Sequence, residues 1–338
     1  MVSFLNDYNT IASKEILEAL LKYQAEPNIG YSLDYHTKNA IKILQQKLNT
    51  TADIYFLGGG TITNRIGLYQ MLKPFEAVIC VETGHINVHE TGAVESTGHK
   101  VLTVKGTNGK ILIDEVKTLL NDHTDNHKVL PRAIYISNST EIGTLYTKKE
   151  LIDIYNFAHQ NDLYLFVDGA RLGVALASES NDIEFSDYAK YSDMFYIGGT
   201  KNGAPFGEAL VIVNETLKKN FNYLLKNQGG LFAKGFVLGI VFETLFENDL
   251  YFKLAKNSIK YAKELREVFK KANIKEEYIN DTNQVFVRLD KTTFDKLSKD
   301  ILFEKWENKG EFIISRFVTN IATNDQDIKE IKKILGIK

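Results

Sequence analysis

Two short apolar runs, each closing on a single ionisable residue, constrain this chain more than any other feature. Tyr164-Leu165-Phe166-Val167 leads into Asp168-Gly169-Ala170-Arg171, and Met194-Phe195-Tyr196-Ile197 leads into Gly198-Gly199-Thr200-Lys201-Asn202-Gly203. Strands without polar alternation belong to sheets covered on both faces. Ligands of such sheets gather beyond the carboxyl ends of the strands. Asp168 and Lys201 are therefore expected at one rim of one sheet, and the interval of about thirty residues between them fits a single helical crossover.

The same alternation extends over most of residues 50–215. Strands are expected at Ile54–Leu57, near Ala77–Glu82, at Val101–Val104, at Ala133–Ser137 and from Ala209 to Val213. Between them, helical spacing runs from Thr63 to Leu72 and from Asp114 to Leu120, and Thr147-Lys148-Lys149-Glu150 is a capping box ahead of a helix over Leu151–Asn161. This is the pattern of a mostly parallel α/β sheet. Beyond Asn248 the register changes. A long helix from Leu250 to Ala272, an alternating strand at Val285–Leu289 and a strand at Phe312–Phe317 read as α+β. With 338 residues and a prior of about 150 per domain, we divide the chain into a large domain over 1–248, N-terminal segment included, and a smaller one over 249–338.

Charge and cysteine usage narrow the function. Lys and Arg total 41 against 43 Asp and Glu, so no basic excess is available to neutralise nucleic-acid phosphates. Cys80 is the only cysteine. It allows no internal disulfide and no thiolate zinc site, and it reads as a small core residue within Ala77–Val81. The N-terminus lacks the basic-then-apolar layout of a signal peptide. The most apolar long window, Gly230 to Phe246, carries Lys234 and Glu243, which argues against a membrane span. A soluble cytoplasmic protein is expected.

Lys201 is flanked by glycines that let backbone approach a ligand closely. A lysine at the end of a buried strand can lose the solvation that keeps it protonated, as nucleophilic use requires. Arg171, beside another strand end, calls for an anion. Gly58-Gly59-Gly60-Thr61 lies between a strand and a helix, where helix N–H groups and a hydroxyl can cradle phosphate. A dinucleotide fingerprint starting at Gly58 needs a third glycine where Thr63 stands. His85 follows an apolar strand, where its ring can stack on a planar ligand. His89 and Glu90 lie close by, yet no second histidine–carboxylate cluster accompanies them, so no metal is expected. An amine able to form a Schiff base, together with a carboxylate able to hold a protonated pyridine nitrogen, is the minimum equipment for pyridoxal phosphate.

With those residues in view, the chain resembles the threonine aldolase and β-eliminating lyase family of fold-type I pyridoxal-phosphate enzymes. The resemblance rests on Gly60-Thr61 with Asn64, on Glu82-Thr83-Gly84-His85-Ile86, and on Glu90 to Gly98. It continues through Val167 to Gly173, the Lys201 turn and Ser315-Arg316-Phe317-Val318-Thr319, and it spans nearly the whole chain. It implies a large, mostly parallel-sheet domain and a smaller α+β C-terminal domain. It also implies roles: Lys201 bonded to the cofactor within the Thr200–Lys201 turn, Asp168 on the ring nitrogen, His85 on the ring, and Gly60 with Thr61 on the phosphate. Arg171 and Arg316 would hold a substrate carboxylate, Arg171 also lying near the cofactor, while Asn6 and Tyr31 match less distinctive positions lining the site.

Two positions depart from the family pattern. Glu141 stands where many members carry a histidine associated with the substrate's β-hydroxyl, and Lys234 stands near where members offer an arginine to a neighbouring subunit's phosphate. The resemblance implies a homodimer or homotetramer acting on a small amino acid. The expected reaction is cleavage of β-hydroxy-α-amino acids, such as L-threonine or L-allo-threonine, to glycine and an aldehyde. β-Elimination on another amino acid, or cofactor binding without turnover, are the alternatives.

Overall fold

The apolar runs assemble into one seven-stranded sheet. In the computed structural model, which describes residues 2–337, its strands are β1 (Asp53–Leu57), β2 (Glu76–Val81), β3 (Lys100–Val104), β4 (Leu130–Ser137), β5 (Tyr164–Asp168), β6 (Met194–Gly198) and β7 (Glu208–Ile212). Their spatial order is β1-β7-β6-β5-β4-β2-β3. From β6 through β3 the pairings are parallel, whereas β7 runs antiparallel to both of its neighbours. Loop length explains the exception. A parallel pair needs a crossover of about a dozen residues or more, and only Gly199–Gly207 joins β6 to β7, so the chain turns straight back. Six strands therefore end at one rim, and β7 begins there.

Strand residues alternate between two cores. Ala77, Ile79, Ile134, Ile136, Leu165 and Val167 belong to one cluster, while Val78, Cys80, Ala133, Tyr135 and Phe166 belong to the other. Because successive strand side chains point to opposite faces, this interleaving requires helices on both sides. Tyr35–Leu48, Lys148–Gln160 and Phe236–Glu247 cover the first face, and Gly60–Met71 and Phe221–Asn227 the second. The expected capping box is present, with Thr147 accepting from the Glu150 N–H and Glu150 from the Thr147 N–H. The helix expected from Thr63 begins at Gly60, so the glycine turn itself forms its N-terminus.

The C-terminal unit is a three-stranded antiparallel sheet of β8 (Gln284–Leu289), β9 (Glu304–Lys309) and β10 (Phe312–Val318), in the order β9-β10-β8. β9 has no counterpart among the expected strands. Its Glu-Lys-Trp-Glu-Asn-Lys sequence is that of an exposed edge strand, on which charge is tolerated and apolar alternation is absent. The helix Leu250–Lys271 links the two units. Its Tyr251 joins a core of the large sheet, against which its Leu254 also packs, and its Leu265 and Phe269 pack with Val285, Phe317 and Ile328. Phe4 belongs to that last cluster, and Val2–Ser3 pairs in parallel with Ile301–Leu302. The first residues thus pack with elements beyond residue 248. Among the described residues no helix is long and apolar enough to cross a membrane.

Candidate active site

The strand ends at the rim surround a cavity of about 350 Å³ lined by Gly58–Thr61, His85, Asp168, Thr200 and Lys201. A second cavity of about 290 Å³ shares Tyr8, His85, Glu141, Arg171 and Lys201 with the first and adds His89, Glu304, Trp306 and Arg316. Lys201 stands where the two meet.

Asp168 is 3% exposed. Its Oδ1 accepts the Ala170 N–H at 2.8 Å, and its Oδ2 accepts the Tyr135 hydroxyl and, at 3.2 Å, Asn64 Nδ2. The turn after it packs directly on β6, since a Cβ at Gly169 would lie 1.9 Å from the Tyr196 carbonyl oxygen. Only glycine fits there. Burial works against a charge on Asp168, but His85, the Tyr135 and Tyr196 hydroxyls and the Ala170 N–H together hold its carboxyl below the ordinary range. Asn64 Nδ2 also reaches Glu90 Oε1 at 2.7 Å, and that oxygen lies 2.8 Å from His85 Nδ1. A carboxylate can only accept, so this contact places the imidazole proton on Nδ1 and fixes the ring's orientation.

Lys201 makes no hydrogen bond or ion pair among the described residues. Burial, then the nearby Arg171 charge, holds its amine below the ordinary lysine range, against the opposing pull of Asp7, Asp168 and Glu208. The anion that Arg171 requires is Asp7, which accepts from Nε at 2.7 Å and from Nη2 at 3.1 Å. Asp7 is buried and the Arg171 side chain is 10% exposed, and two of the arginine's donors are already committed. Arg316 donates through Nη1 to Gln284 Oε1 at 3.1 Å, pairs through Nη2 with Glu304, and lies over the Trp306 ring at 5.0 Å. Its Nε is buried with no acceptor. Glu141 accepts the His85 N–H at 3.0 Å and the Ser137 hydroxyl at 2.7 Å. Burial raises its carboxyl above the ordinary range despite those donors.

Three expected residues do not reach these cavities within one chain. Asn6 accepts the Tyr8 N–H at 3.1 Å through its side chain, and its neighbours Asp7 and Tyr8 take the site positions instead. Tyr31 is 46% exposed and borders a separate surface cavity, with the Lys226 ammonium 4.3 Å from its ring centroid. Lys234 is exposed in the loop before Phe236–Glu247, so it neither lies within that helix nor snorkels from it. Sequence reasoning in turn missed Asp7, Tyr8, Trp306 and Glu208. A glutamate heading an otherwise apolar strand was the available signal for the last.

Pyridoxal phosphate fits what is present. The amine is unpartnered, the carboxylate opposite is held charged, and Asn64 Oδ1 and Glu90 Oε2 are buried without donors. Nothing lies within 4 Å of where a Cβ at Gly59 would sit, so the glycine turn leaves room for a phosphate.

A family model described as beta-eliminating lyase matches residues 4–292. The chain is 40% identical to a threonine aldolase structure from Leishmania major, with a TM-score of 0.98 over 99% of each chain. A low specificity L-threonine aldolase of Pseudomonas aeruginosa is 27% identical over 91% of each. Cystalysin of Treponema denticola, a structure that contains pyridoxal 5'-phosphate, has a TM-score of 0.72 at 16% identity and shares the fold.

Proposed function

Because this chain belongs to the beta-eliminating lyase family, we propose that it is a pyridoxal-phosphate enzyme cleaving β-hydroxy-α-amino acids, L-threonine or L-allo-threonine among them, to glycine and an aldehyde. The observation that carries this reading is the position of Lys201. Its unpartnered amine stands between a cavity with a buried carboxylate, Asp168, and one with two arginines, Arg171 and Arg316. When bound, the cofactor supplies an electron sink for the bond broken at the substrate's Cα.

The residues divide the remaining work. Gly60 and Thr61, at a helix N-terminus, are proposed to hold the phosphate, with Thr200 lining the same cavity. Asp168 would keep a proton on the cofactor's ring nitrogen, and His85, oriented by Glu90, would stack on the ring. Arg316, which lines the second cavity, is the guanidinium proposed to meet the substrate carboxylate. Arg171, held by Asp7 through two of its five N–H groups, is proposed to offer the others to the same carboxylate. Glu141, at the junction of the cavities, is the group proposed to take the β-hydroxyl proton, since burial places its carboxyl nearer neutrality than an ordinary glutamate. Purified holoprotein given L-threonine should release glycine and acetaldehyde in equal amounts. Consumption of an amino acid without glycine would instead favour β-elimination.

Removing the Arg316 guanidinium tests the carboxylate site. Arg316→Ala should raise KM about 10- to 100-fold, as expected for losing one or two charge-assisted hydrogen bonds, with cofactor content unchanged. Arg316→Lys should rescue incompletely, because a single ammonium cannot reproduce the guanidinium's geometry. Ordinary threonine kinetics in the alanine variant would reassign the role.

We place Tyr31 and Lys234 at a subunit interface of a homodimer or homotetramer. The Tyr31 N–H donates to the Ala233 carbonyl at 3.1 Å, so the two segments lie side by side. Around them Ile29, Leu33, Tyr35 and Tyr223 are all more than half exposed, a concentration of apolar surface suited to a second copy. Light scattering should find no active monomer. Lys234→Ala should weaken cofactor binding if Lys234 reaches a neighbour's phosphate, and unchanged affinity would leave it an ordinary surface lysine.

A further inference from the structure

The strand β7 is buried throughout and apolar from Ala209 to Ile212, yet it begins with Glu208, 4% exposed. Because β7 is antiparallel, that first residue lies at the rim where the other strands end. Its register partners are Gly198 of β6 and Leu57 of β1, the residues immediately before the Lys201 turn and the glycine turn. Its side chain lines the same cavity as Lys201 and Asp168. Glu208 Oε2 accepts the Gly199 N–H at 2.8 Å, and the carboxyl forms no ion pair among the described residues. A buried acid without a paired cation is costly, and none of the roles above uses it.

Its electrical neighbours are few. Lys201, Asp168 and, from β6, Tyr196 line the cavity with it, and Tyr251 of the helix Leu250–Lys271 also senses its charge. Burial pushes the carboxyl up to about 7; Thr200, the Gly199 N–H and the Lys201 charge oppose this, while Asp168 reinforces it. Reciprocally, Glu208 is one of three carboxylates, with Asp7 and Asp168, that counter burial and Arg171 at the Lys201 amine.

We propose that Glu208 is a positioning residue for Lys201, its negative charge setting how firmly the Lys201 nitrogen keeps its proton, free or joined to the cofactor. This rests on the reading of Lys201 as the cofactor's lysine. Glu208 makes and breaks no covalent bond; only the residence of one proton on the Lys201 nitrogen changes. The competing role is purely structural, an acceptor that shapes the turn through the Gly199 N–H.

Glu208→Gln separates the two, since the amide oxygen still accepts that N–H while the charge is gone. In cofactor-free protein, Lys201 loses an influence that favours its protonated form. Its reductive methylation by formaldehyde and cyanoborohydride, followed by peptide mass spectrometry, should run several-fold faster than wild type at about pH 8. The two rates should converge as the pH falls well below about 7, where wild-type Glu208 is itself neutral. In holoprotein, the pH midpoint of the cofactor's absorbance change should fall by about one unit, the size of a neighbouring-charge effect. Glu208→Asp keeps the charge at shorter reach and should shift both readouts less, in the same direction; it serves alone if the glutamine variant does not fold. Wild-type rates and midpoints in the variants would overturn the proposal and leave Glu208 a structural acceptor. The cofactor-free measurement stays readable even if borohydride labels another lysine, so failure of the site reading and failure of this proposal are distinguishable.

Discussion

Lys201→Ala should leave a folded protein whose turnover is reduced about 10⁴-fold or more, the scale reached when a covalent catalyst is removed. The side chain makes no hydrogen bond or ion pair among the described residues, so its loss takes away no polar contact of the fold. Truncation also removes a buried amine that burial and Arg171 already disfavour as a cation, so stability should hold or rise slightly. Added pyridoxal phosphate should still enter a cavity formed by Gly58–Thr61 and Asp168, but as a free aldehyde and more weakly. Thermal unfolding, cofactor absorbance and glycine release on one preparation check all three parts. A variant that kept a tenth of wild-type turnover would remove Lys201 from the chemistry.

Asp168→Asn should cost about 10²- to 10⁴-fold in turnover, the range for losing a positioned proton partner, with the cofactor still bound through Lys201. The substitution nearly preserves volume, so the packing of the turn on β6 at Gly169 survives. The charge does not. A carboxylate held below its ordinary range by three hydrogen-bond donors and His85 becomes an amide, which cannot keep a proton on the ring nitrogen. Part of the amide also faces Asn64 Nδ2, a donor it cannot satisfy with its own NH₂ group. Quantifying bound cofactor beside the rate separates this effect from simple loss of cofactor. Near-normal rates in the asparagine variant would mean that the ring nitrogen needs no partner.

The parts of this site that could be read from sequence are those produced by local rules. β5 and β6 are continuous apolar runs ended by Asp168 and Lys201, and the strand ends converge because parallel sheets with helical crossovers bring them together. The Thr147 capping box is equally local. The missed residues depend on geometry that no short window contains. Glu208 reaches the rim only because the loop before β7 is too short for a crossover, which reverses the strand. Asp7 meets Arg171 across 164 residues of chain. Asn6, one residue before it, bonds the Tyr8 N–H instead, and no local pattern marks which residue of this irregular segment meets the site. Trp306 lies on an edge strand whose charged residues hid its strand character. Tyr31 and Lys234 lie on the surface of this chain, away from the two cavities.

Borohydride reduction of the holoprotein, followed by proteolysis and peptide mass spectrometry, tests the central claim most directly. Reduction fixes the cofactor to whichever amine holds it. The arrangement of Lys201 opposite Asp168, at the junction of the two cavities, predicts one pyridoxyl group per chain, on Lys201 and on no other lysine. Recovery of the label on a different lysine, or a fully occupied holoprotein with no label at all, would contradict it.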